Sequence, residues 1–209
     1  HLEGDPGSPR LLTSRTRIDL TEKMSAWVER RLKELEAESL CGFVFKSNSP
    51  SSGMERVRVY DQNGVPKKAG SGLFAAAFMR HFPLIPVEDE GRLHDMALRE
   101  NFIERIFVCE RWLQLIAGKP RLSGLIDFHT RHKLLIMSHS PKHYSLLGKL
   151  VAAGSQMQLD TLLNQYRVAL MEALKLKATP RKNTNVLQHL AGYFKKQFSK
   201  EEKQELQEL

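Results

Sequence analysis

Cysteine and long apolar runs are both scarce in this chain of 209 residues. Its two cysteines, Cys41 and Cys109, are too few for a disulfide framework or a four-cysteine metal or cluster site. Both lie in apolar segments, and we interpret them as small core side chains. No apolar run approaches the roughly 18 to 20 residues of a membrane span. We therefore expect a cytoplasmic protein without membrane contact.

The first residues do not have the pattern of a targeting segment. Residues 1–7 contain no initiator methionine, no basic stretch and no apolar stretch, so they do not form a signal peptide. We interpret them as part of a chain that begins mid-protein. Internal repeats and low-complexity tracts are absent from the sequence as well. With 41% hydrophobic and 27% charged residues, the composition is that of an ordinary soluble protein.

Acidic residues become rare in the second half of the chain. Residues 1–110 contain 16 Lys and Arg and 17 Asp and Glu, a net charge of −1, whereas residues 111–209 contain 16 basic and 7 acidic residues, a net charge of +9. A strongly basic segment favours an anionic partner, most simply nucleic acid. The alternative is a solvated basic surface without a partner, because charge alone specifies no geometry.

The first half of the chain alternates helical periodicity with short apolar runs, which predicts an α/β layer. Asp19 and Glu22 have the spacing of a capping box, so a helix should begin at Asp19. Residues 61–64 have the composition of a tight turn, and residues 67–72 should lead into a second helix. We predict strands at 41–45, 56–60 and 82–87 and the second helix at 73–80.

From Leu93 onward every segment has helical periodicity. Ser140-Pro141 should interrupt this pattern, because proline disfavours helix at the preceding residue and suits a first helical position. The predicted fold is therefore α+β overall and mostly helical: a small α/β layer domain, residues 1–110, followed by an all-α helical domain, residues 111–209. The first long helix of this half should end near residue 117. The later predicted helices cover 122–137, 142–153, 158–177, 185–198 and 200–209.

Lys46–Gly53 is a polar loop rich in serine between two predicted strands. Such loops often use Ser and Asn only for local backbone hydrogen bonds. A second interpretation is a ligand loop in which Lys46 contacts a carbonyl or a phosphate of a pyrimidine-like molecule. A third makes Ser49 a nucleophile, although no Gly-x-Ser-x-Gly elbow surrounds it.

This loop resembles the Lys-x-x-Ser-Pro-Ser-Cys-Gly motif of the thiouracil desulfidases, a family of small iron–sulphur proteins, and the resemblance extends over residues 10–108. It implies that Ser49 matches a catalytic-site serine and that Ser52 stands where the family has a cluster-ligand cysteine. The family's other two ligand cysteines and its catalytic acid belong to an upstream segment, of which residues 1–4 would be a frayed remnant. Because a serine hydroxyl does not replace a thiolate on such a cluster, we expect no cofactor in this chain, whereas complete family members hold an iron–sulphur cluster.

The second half resembles the YbgA-like domain, which is often fused to the desulfidase domain. Four segments carry this resemblance: residues 127–133, 137–144, 147–150 and 185–196. Domains of this kind usually continue beyond the position of Leu209. The resemblance therefore implies that the domain continues beyond the last residue of this chain.

Four of the eight histidines lie within residues 127–143. On one continuous helix, His132, His139 and His143 would share a face that could bind a metal. The Ser140-Pro141 break and the absence of a metal-binding spacing argue against this arrangement. We therefore predict no metal site. The interpretation we prefer is an anion site at a new helix N-terminus, with a second basic and aromatic group at 185–196. The predicted binding residues are Lys46, His129, Arg131, His132, Lys133, His139, Ser140, Lys142, His189, Tyr193 and Lys195.

Two functions follow from these observations. The first is a binding module, with a degenerate desulfidase-like domain and a basic helical domain that contacts RNA or another polyanion. The alternative is a fragment of an iron–sulphur-dependent desulfidase acting on thiolated nucleobases. Whether the chain is an enzyme is left open at this point, because the motif cysteine is replaced by Ser52.

Overall fold

The protein folds as two compact units, His1–Gly118 and Lys119–Leu209. The structure is a computed structural model that describes residues 1–194 and 197–208. The sequence-based domain boundary between residues 110 and 111 falls inside a long helix, Met96–Ala117, which belongs to the first unit. This helix ends at Gly118, and a proline follows at position 120, as expected for a helix stop.

The first unit combines short strands with three helices. Its elements in chain order are β1 Leu2–Glu3, β2 Arg10–Leu11, α1 Thr21–Glu36, β3 Phe43–Phe45, β4 Val57–Tyr60, β5 Pro66–Gly70, α2 Leu73–His81, β6 Val87–Asp89, a 3₁₀ turn Arg92–His94 and α3 Met96–Ala117. The strands form a mixed sheet with the order β2-β1-β4-β5 and a separate parallel pair, β3 and β6. Strand β1 is parallel to β4, and the other two pairings in the larger sheet are antiparallel.

An aromatic core holds α1 and α2 against β3. Phe45 and Phe78 are fully buried, and their rings meet edge to face with centroids 5.5 Å apart. The apolar positions of α1 recur at helical spacing, so Val28, Leu32 and Leu35 all face this core. A smaller cluster of Leu2, Val57 and Val59 forms the apolar side of the larger sheet.

The predicted capping box at Asp19 is wrong. Helix α1 begins at Thr21, and Asp19 instead accepts hydrogen bonds at Oδ1 from the Thr21 backbone N–H (2.9 Å) and hydroxyl (2.5 Å). The reason is tertiary, since Asp19 pairs with Leu12 in an isolated β-bridge that keeps its backbone extended. Arg10 donates from Nε to the other carboxylate oxygen at 2.9 Å, and these bonds lower the pKa of Asp19 to about 2.

Three strand assignments also change. The run predicted as a strand at 82–87 is a turn up to Pro86, and the strand is Val87–Asp89 instead, because Pro83 and Pro86 lack the N–H groups that a paired strand needs. Residues 67–72 were predicted to lead into a helix, but Pro66–Gly70 form β5, which pairs with β4 across the Asp61–Gly64 turn. Residues 1–4, interpreted as a frayed remnant, contribute β1, and Leu2 is fully buried against Val59.

The second unit is helical throughout its regular structure. The predicted break at Ser140-Pro141 is confirmed, because one helix ends at His139 and the next starts at Pro141. The fold class, α+β overall and mostly helical, is likewise confirmed. The helices are α4 Leu122–His139, α5 Pro141–Ala152, α6 Leu159–Lys175, α7 Pro180–Phe194 and α8 Lys200–Glu208.

Helix α4 lies at the centre of this unit and contacts α5, α6 and α7. Its buried side chains include Leu125, Phe128 and Ile136, and α6 contributes Leu162, Tyr166 and Leu170 to the unit's core. Helix α7 begins five residues earlier than predicted, at Pro180, because proline suits a first helical position. Within residues 1–194 and 197–208, no helix combines the length and the apolar character that crossing a membrane requires.

Candidate functional site

The serine loop, Lys46–Gly53, connects β3 to β4 and is held by backbone hydrogen bonds. The N–H of Gly53 donates to the Ser49 carbonyl at 2.9 Å, and the N–H of Phe74, in the first turn of α2, donates to the Ser51 carbonyl at 2.8 Å. Gly72 makes this contact possible, because a β-carbon there would lie 2.4 Å from the Ser51 carbonyl oxygen. The loop and the start of α2 are therefore packed backbone to backbone.

Ser49 uses its hydroxyl inside the loop. Its Oγ accepts from the Ser52 backbone N–H at 3.1 Å and lies 3.1 Å from the Oγ of Ser51. Among the described residues, no histidine or carboxylate lies within hydrogen-bond distance of the Ser49 hydroxyl. A serine without a base is a weak nucleophile, so the geometry favours a turn that orients Ser51 and Ser52.

Glu90 anchors the first part of the serine loop, a role that sequence patterns did not indicate. Its carboxylate accepts from the Lys46 ammonium at 3.1 Å, from the Ser47 N–H at 3.0 Å and from the Ser47 hydroxyl at 3.2 Å. The hydrogen bond from Lys46 is the largest of the effects that hold the pKa of Glu90 below its ordinary value. Lys46, predicted to contact a ligand, is thus paired with a carboxylate at the exit of β6.

Two buried carboxylates lie beside Glu90. Glu88 accepts at Oε1 from Arg92 Nε at 2.6 Å, and the same guanidinium donates to Glu55 at 2.6 Å. Asp89 accepts from the Gly91 N–H at 2.8 Å. Both Glu88 and Asp89 are 5% exposed. Glu88 and Asp89 therefore belong to a buried network of charged side chains next to the serine loop.

The thiols do not assemble a cluster site. Cys41 donates from Sγ to Glu110 Oε2 at 2.7 Å, and burial, followed by this hydrogen bond, raises the pKa of Cys41 to about 12. Cys109 is fully buried in α3. Ser52 stands where the resemblance implies a ligand cysteine, and the described residues with these two thiols do not form a donor set that fits a soft iron–sulphur cluster. No group of three His, Cys, Asp or Glu side chains suited to a metal ion occurs in the described part of the chain.

In the second unit, three of the predicted binding residues meet at one surface. The ammonium of Lys133 lies 5.9 Å from the centre of the Tyr193 ring, and His189 Nε2 lies 3.1 Å from the Tyr193 hydroxyl. Tyr144, which was not among the predicted binding residues, places its ring 6.3 Å from that of His189. We call Lys133, Tyr144, His189 and Tyr193 the Tyr193 cluster. The ring of Tyr193 is available for stacking, because this residue is 58% exposed.

His129 and His132 lie three residues apart on α4 and have different hydrogen-bond partners. His129 Nδ1 is 3.0 Å from the Tyr166 hydroxyl, and burial lowers the pKa of His129. His132 is buried, stacks on Phe128 with ring centroids 4.1 Å apart and donates from Nδ1 to the Phe128 carbonyl at 2.7 Å. The geometry of His132 favours a packing role over contact with a ligand.

The segment predicted as an anion site divides between two helices. His139 is fully buried in the last turn of α4 and donates from Nδ1 to the Leu176 carbonyl at 2.5 Å. Ser140 is the N-cap of α5, and its Oγ accepts from the His143 N–H at 3.3 Å and lies 2.8 Å from His143 Nδ1. Lys182 donates to the carbonyl of His139 at 2.7 Å. These contacts favour a role for His139 and Ser140 in joining helices.

The remaining predicted residues are placed as follows. Arg131 is exposed and forms an ion pair with Asp127, one turn before it on α4, at 3.0 Å. Lys142 is exposed in the first turn of α5. Lys195 lies outside the described residues. Among the described members of the predicted set, the structure thus brings Lys133, His189 and Tyr193 together.

Both halves of the chain match families known from other proteins. Residues 2–90 match the family model described as 2-thiouracil desulfurase, and residues 133–209 match that of a protein of unknown function, DUF1722. The chain is 43% identical over 108 residues to the uncharacterized protein YbgA of Escherichia coli (strain K12). That alignment covers 51% of this chain and 64% of the length of YbgA. No solved structure matches the chain. Both resemblances predicted from the sequence are confirmed.

Proposed function

Because the chain joins a 2-thiouracil desulfurase-like segment to a YbgA-like segment, we propose that it is a binding module whose helical unit contacts RNA or another polyanion. In this proposal the desulfurase-like unit is degenerate and holds no cluster. The observation that carries the proposal is the Tyr193 cluster, in which an exposed aromatic ring adjoins a lysine and a histidine.

The chemistry of this cluster suits a polynucleotide. An exposed aromatic ring stacks on a base whatever its sequence, and a neighbouring cation neutralises a phosphate. Helices α4 and α7, which supply Lys133 and Tyr193, are in contact. The Tyr193 ring and the Lys133 ammonium can therefore contact the same stretch of a nucleic acid. The net charge of +9 over residues 111–209 supplies the longer-range attraction.

The test is a titration of fluorescently labelled single-stranded RNA with the full chain at several salt concentrations. We expect affinity to fall as salt rises, because binding releases counterions from the phosphates. Lys133→Gln should reduce the slope of log K against log salt by about 0.7. Tyr193→Ala should weaken binding by roughly tenfold, in line with about 1–3 kcal/mol per stacked base.

Two matched variants serve as controls. Lys175→Gln removes one exposed lysine from α6, and Leu187→Ala removes an exposed apolar side chain from α7, where Leu187 is 64% exposed. Neither residue belongs to the Tyr193 cluster, so neither substitution should change affinity by as much as the cluster variants. Binding that is undetectable or insensitive to salt near physiological ionic strength would refute the proposal. Equal losses in all four variants would instead place the contact elsewhere.

A second candidate function is a fragment of a desulfidase that acts on thiolated nucleobases, and the match over residues 2–90 favours it. In that case the serine loop would accept a pyrimidine-like ligand, with Lys46 as a contact to a carbonyl or a phosphate. Anaerobic iron reconstitution, followed by visible absorbance and iron content, separates the two functions. A stoichiometric cluster on the wild-type chain would favour the enzyme function. Iron bound by the Ser52→Cys variant, but not by wild type or by the neighbouring Ser51→Cys variant, would favour descent of this chain from an active enzyme.

A further inference from the structure

The first unit contains an open cavity of about 720 Å³ on the side of α2 that faces α1. Its volume lies in the range of roughly 300–1,000 Å³ that is usual for small-molecule sites. One wall is α1, another is α2 with the end of β5, and the Pro6–Pro9 loop forms the third. The serine loop contributes no residue to this lining.

The cavity has an apolar floor and a polar rim. Val28, Leu32 and Leu73 supply branched apolar side chains, and Ala76 and Ala77 are small enough to leave space between the two helices. Two hydroxyls on the rim are already engaged. Thr21 Oγ1 accepts from the Leu11 N–H at 2.9 Å, and Ser71 donates to the Met54 carbonyl at 2.8 Å. The rim hydroxyls therefore stiffen the walls.

Two opposite charges face this space from different helices. Glu29 lies on α1 and Arg80 on α2, and both line the cavity. Within the described residues neither is in an ion pair, whereas the neighbouring His81 is held by Glu36 at 2.6 Å. A ligand that fits this arrangement needs a cationic group, an anionic group and an apolar body.

We propose that the cavity binds a small zwitterion with an apolar side chain, the chemistry of a hydrophobic amino acid. The ammonium contacts Glu29, the carboxylate contacts Arg80, and the side chain covers Val28 and Leu73. Both charged residues are exposed, so each contact contributes modestly. For a ligand of this size we expect a Kd on the order of millimolar.

The test uses three probes that differ by one charged group each: L-phenylalanine, hydrocinnamate, which lacks the ammonium, and 2-phenylethylamine, which lacks the carboxylate. Each is titrated into the isotope-labelled full chain and followed by amide chemical shifts. Phenylalanine should bind about fivefold more tightly than either partial probe, the factor expected for one exposed ion pair. In Glu29→Gln, phenylalanine and hydrocinnamate should become equal, and in Arg80→Gln, phenylalanine and 2-phenylethylamine should become equal.

Three further variants complete the experiment. Ala77→Leu fills the cavity and should abolish the binding of all three probes, with circular dichroism as the check on folding. If that variant does not fold, the two charge variants decide alone, because they lie on the surface. Glu22→Gln and Arg58→Gln remove exposed charges outside the cavity and should leave all three affinities unchanged. Equal affinity for the three probes on the wild type, or no shifts at millimolar phenylalanine, would overturn the proposal.

Discussion

His129 Nδ1 on α4 lies 3.0 Å from the hydroxyl of Tyr166 on α6. Tyr166 is fully buried, and burial raises its pKa, so the hydroxyl stays neutral and available as a hydrogen-bond partner. Burial also lowers the pKa of His129, and the charges of Lys133 and His132 add to this effect. The pair therefore joins α4 and α6 through a histidine whose neutral form is favoured in the folded protein.

This pairing predicts how stability depends on pH. Unfolded His129 takes up a proton below its ordinary pKa of 6.5, but folded His129 resists protonation until a lower pH. The unfolded state then binds more protons, so stability must fall as pH drops below about 6.5. His129→Gln should reduce this loss between about pH 7.5 and pH 5.5, measured by urea unfolding. His94→Gln, at an exposed histidine, is the control, and an equal pH dependence in wild type and His129→Gln would contradict the prediction.

Glu90 should contribute stability only while it is ionised. Its pKa is lowered, first by the hydrogen bond from Lys46 and then by those from Ser47. For a carboxylate with a lowered folded pKa, the contribution is complete above the unfolded value of 4.5 and is lost as pH falls through the folded value. We therefore expect Glu90→Gln to be less stable than wild type near neutral pH. The two proteins should converge as pH falls below 4.5 and through the lower pKa of folded Glu90, as measured by thermal unfolding.

Glu100→Gln is the matched control for that experiment, because Glu100 is exposed and distant in sequence from the serine loop. It should follow the wild-type curve at each pH. A difference between wild type and Glu90→Gln that persists unchanged in acid would show that packing, and not the carboxylate charge, is the source.

Gly72 should tolerate no side chain. A β-carbon there would lie 2.4 Å from the Ser51 carbonyl carbon and oxygen and 2.7 Å from the Ser52 nitrogen. Because all three are backbone atoms, relief requires the serine loop or α2 to move. We expect Gly72→Ala to lower the free energy of unfolding by about 3 kcal/mol, the upper part of the range for overpacking. Chemical denaturation measures this.

Gly148→Ala provides the contrast. Gly148 lies inside α5, and the nearest atom to its added β-carbon is His129 Nε2 at 3.9 Å. Replacing a glycine within a helix with alanine should stabilise the protein by roughly 0.5–1 kcal/mol. Equal effects of the two substitutions would mean that the close approach of Gly72 to Ser51 is not maintained in solution.

Cys41 should react slowly with alkylating reagents. Its thiol donates to Glu110, its pKa is raised to about 12, and only the thiolate is nucleophilic. Glu110→Gln removes the carboxylate charge, so the pKa of Cys41 should fall and its alkylation near about pH 8 should accelerate several-fold. Mass spectrometry of the Cys41 peptide separates this reaction from that of Cys109. As a control, Gln114→Ala removes the other side chain that is hydrogen-bonded to Glu110, and the alkylation rate of Cys41 should stay low. Faster alkylation in both variants would mean that local opening of the structure, and not the charge of Glu110, controls the reaction.

Much of the second unit follows from local sequence. The helix-breaking Ser140-Pro141 step ends α4 at His139, two residues after the predicted end at residue 137, since proline constrains both itself and the residue before it. Gly118 and Pro120 stop α3 for similar reasons. The basic charge, the serine loop and both family resemblances are likewise properties of the amino-acid order alone.

The tertiary structure decided which of these residues meet. Lys46 is 44 residues from Glu90 and Cys41 is 69 residues from Glu110, and local periodicity carries no information about such pairings. The same holds for β5, a polar segment that is a strand because β4 pairs with it. It also holds for the histidines of α4, which differ in their hydrogen-bond partners. Sequence determined the local backbone and the charge, whereas packing of distant segments determined which side chains became buried, paired or exposed.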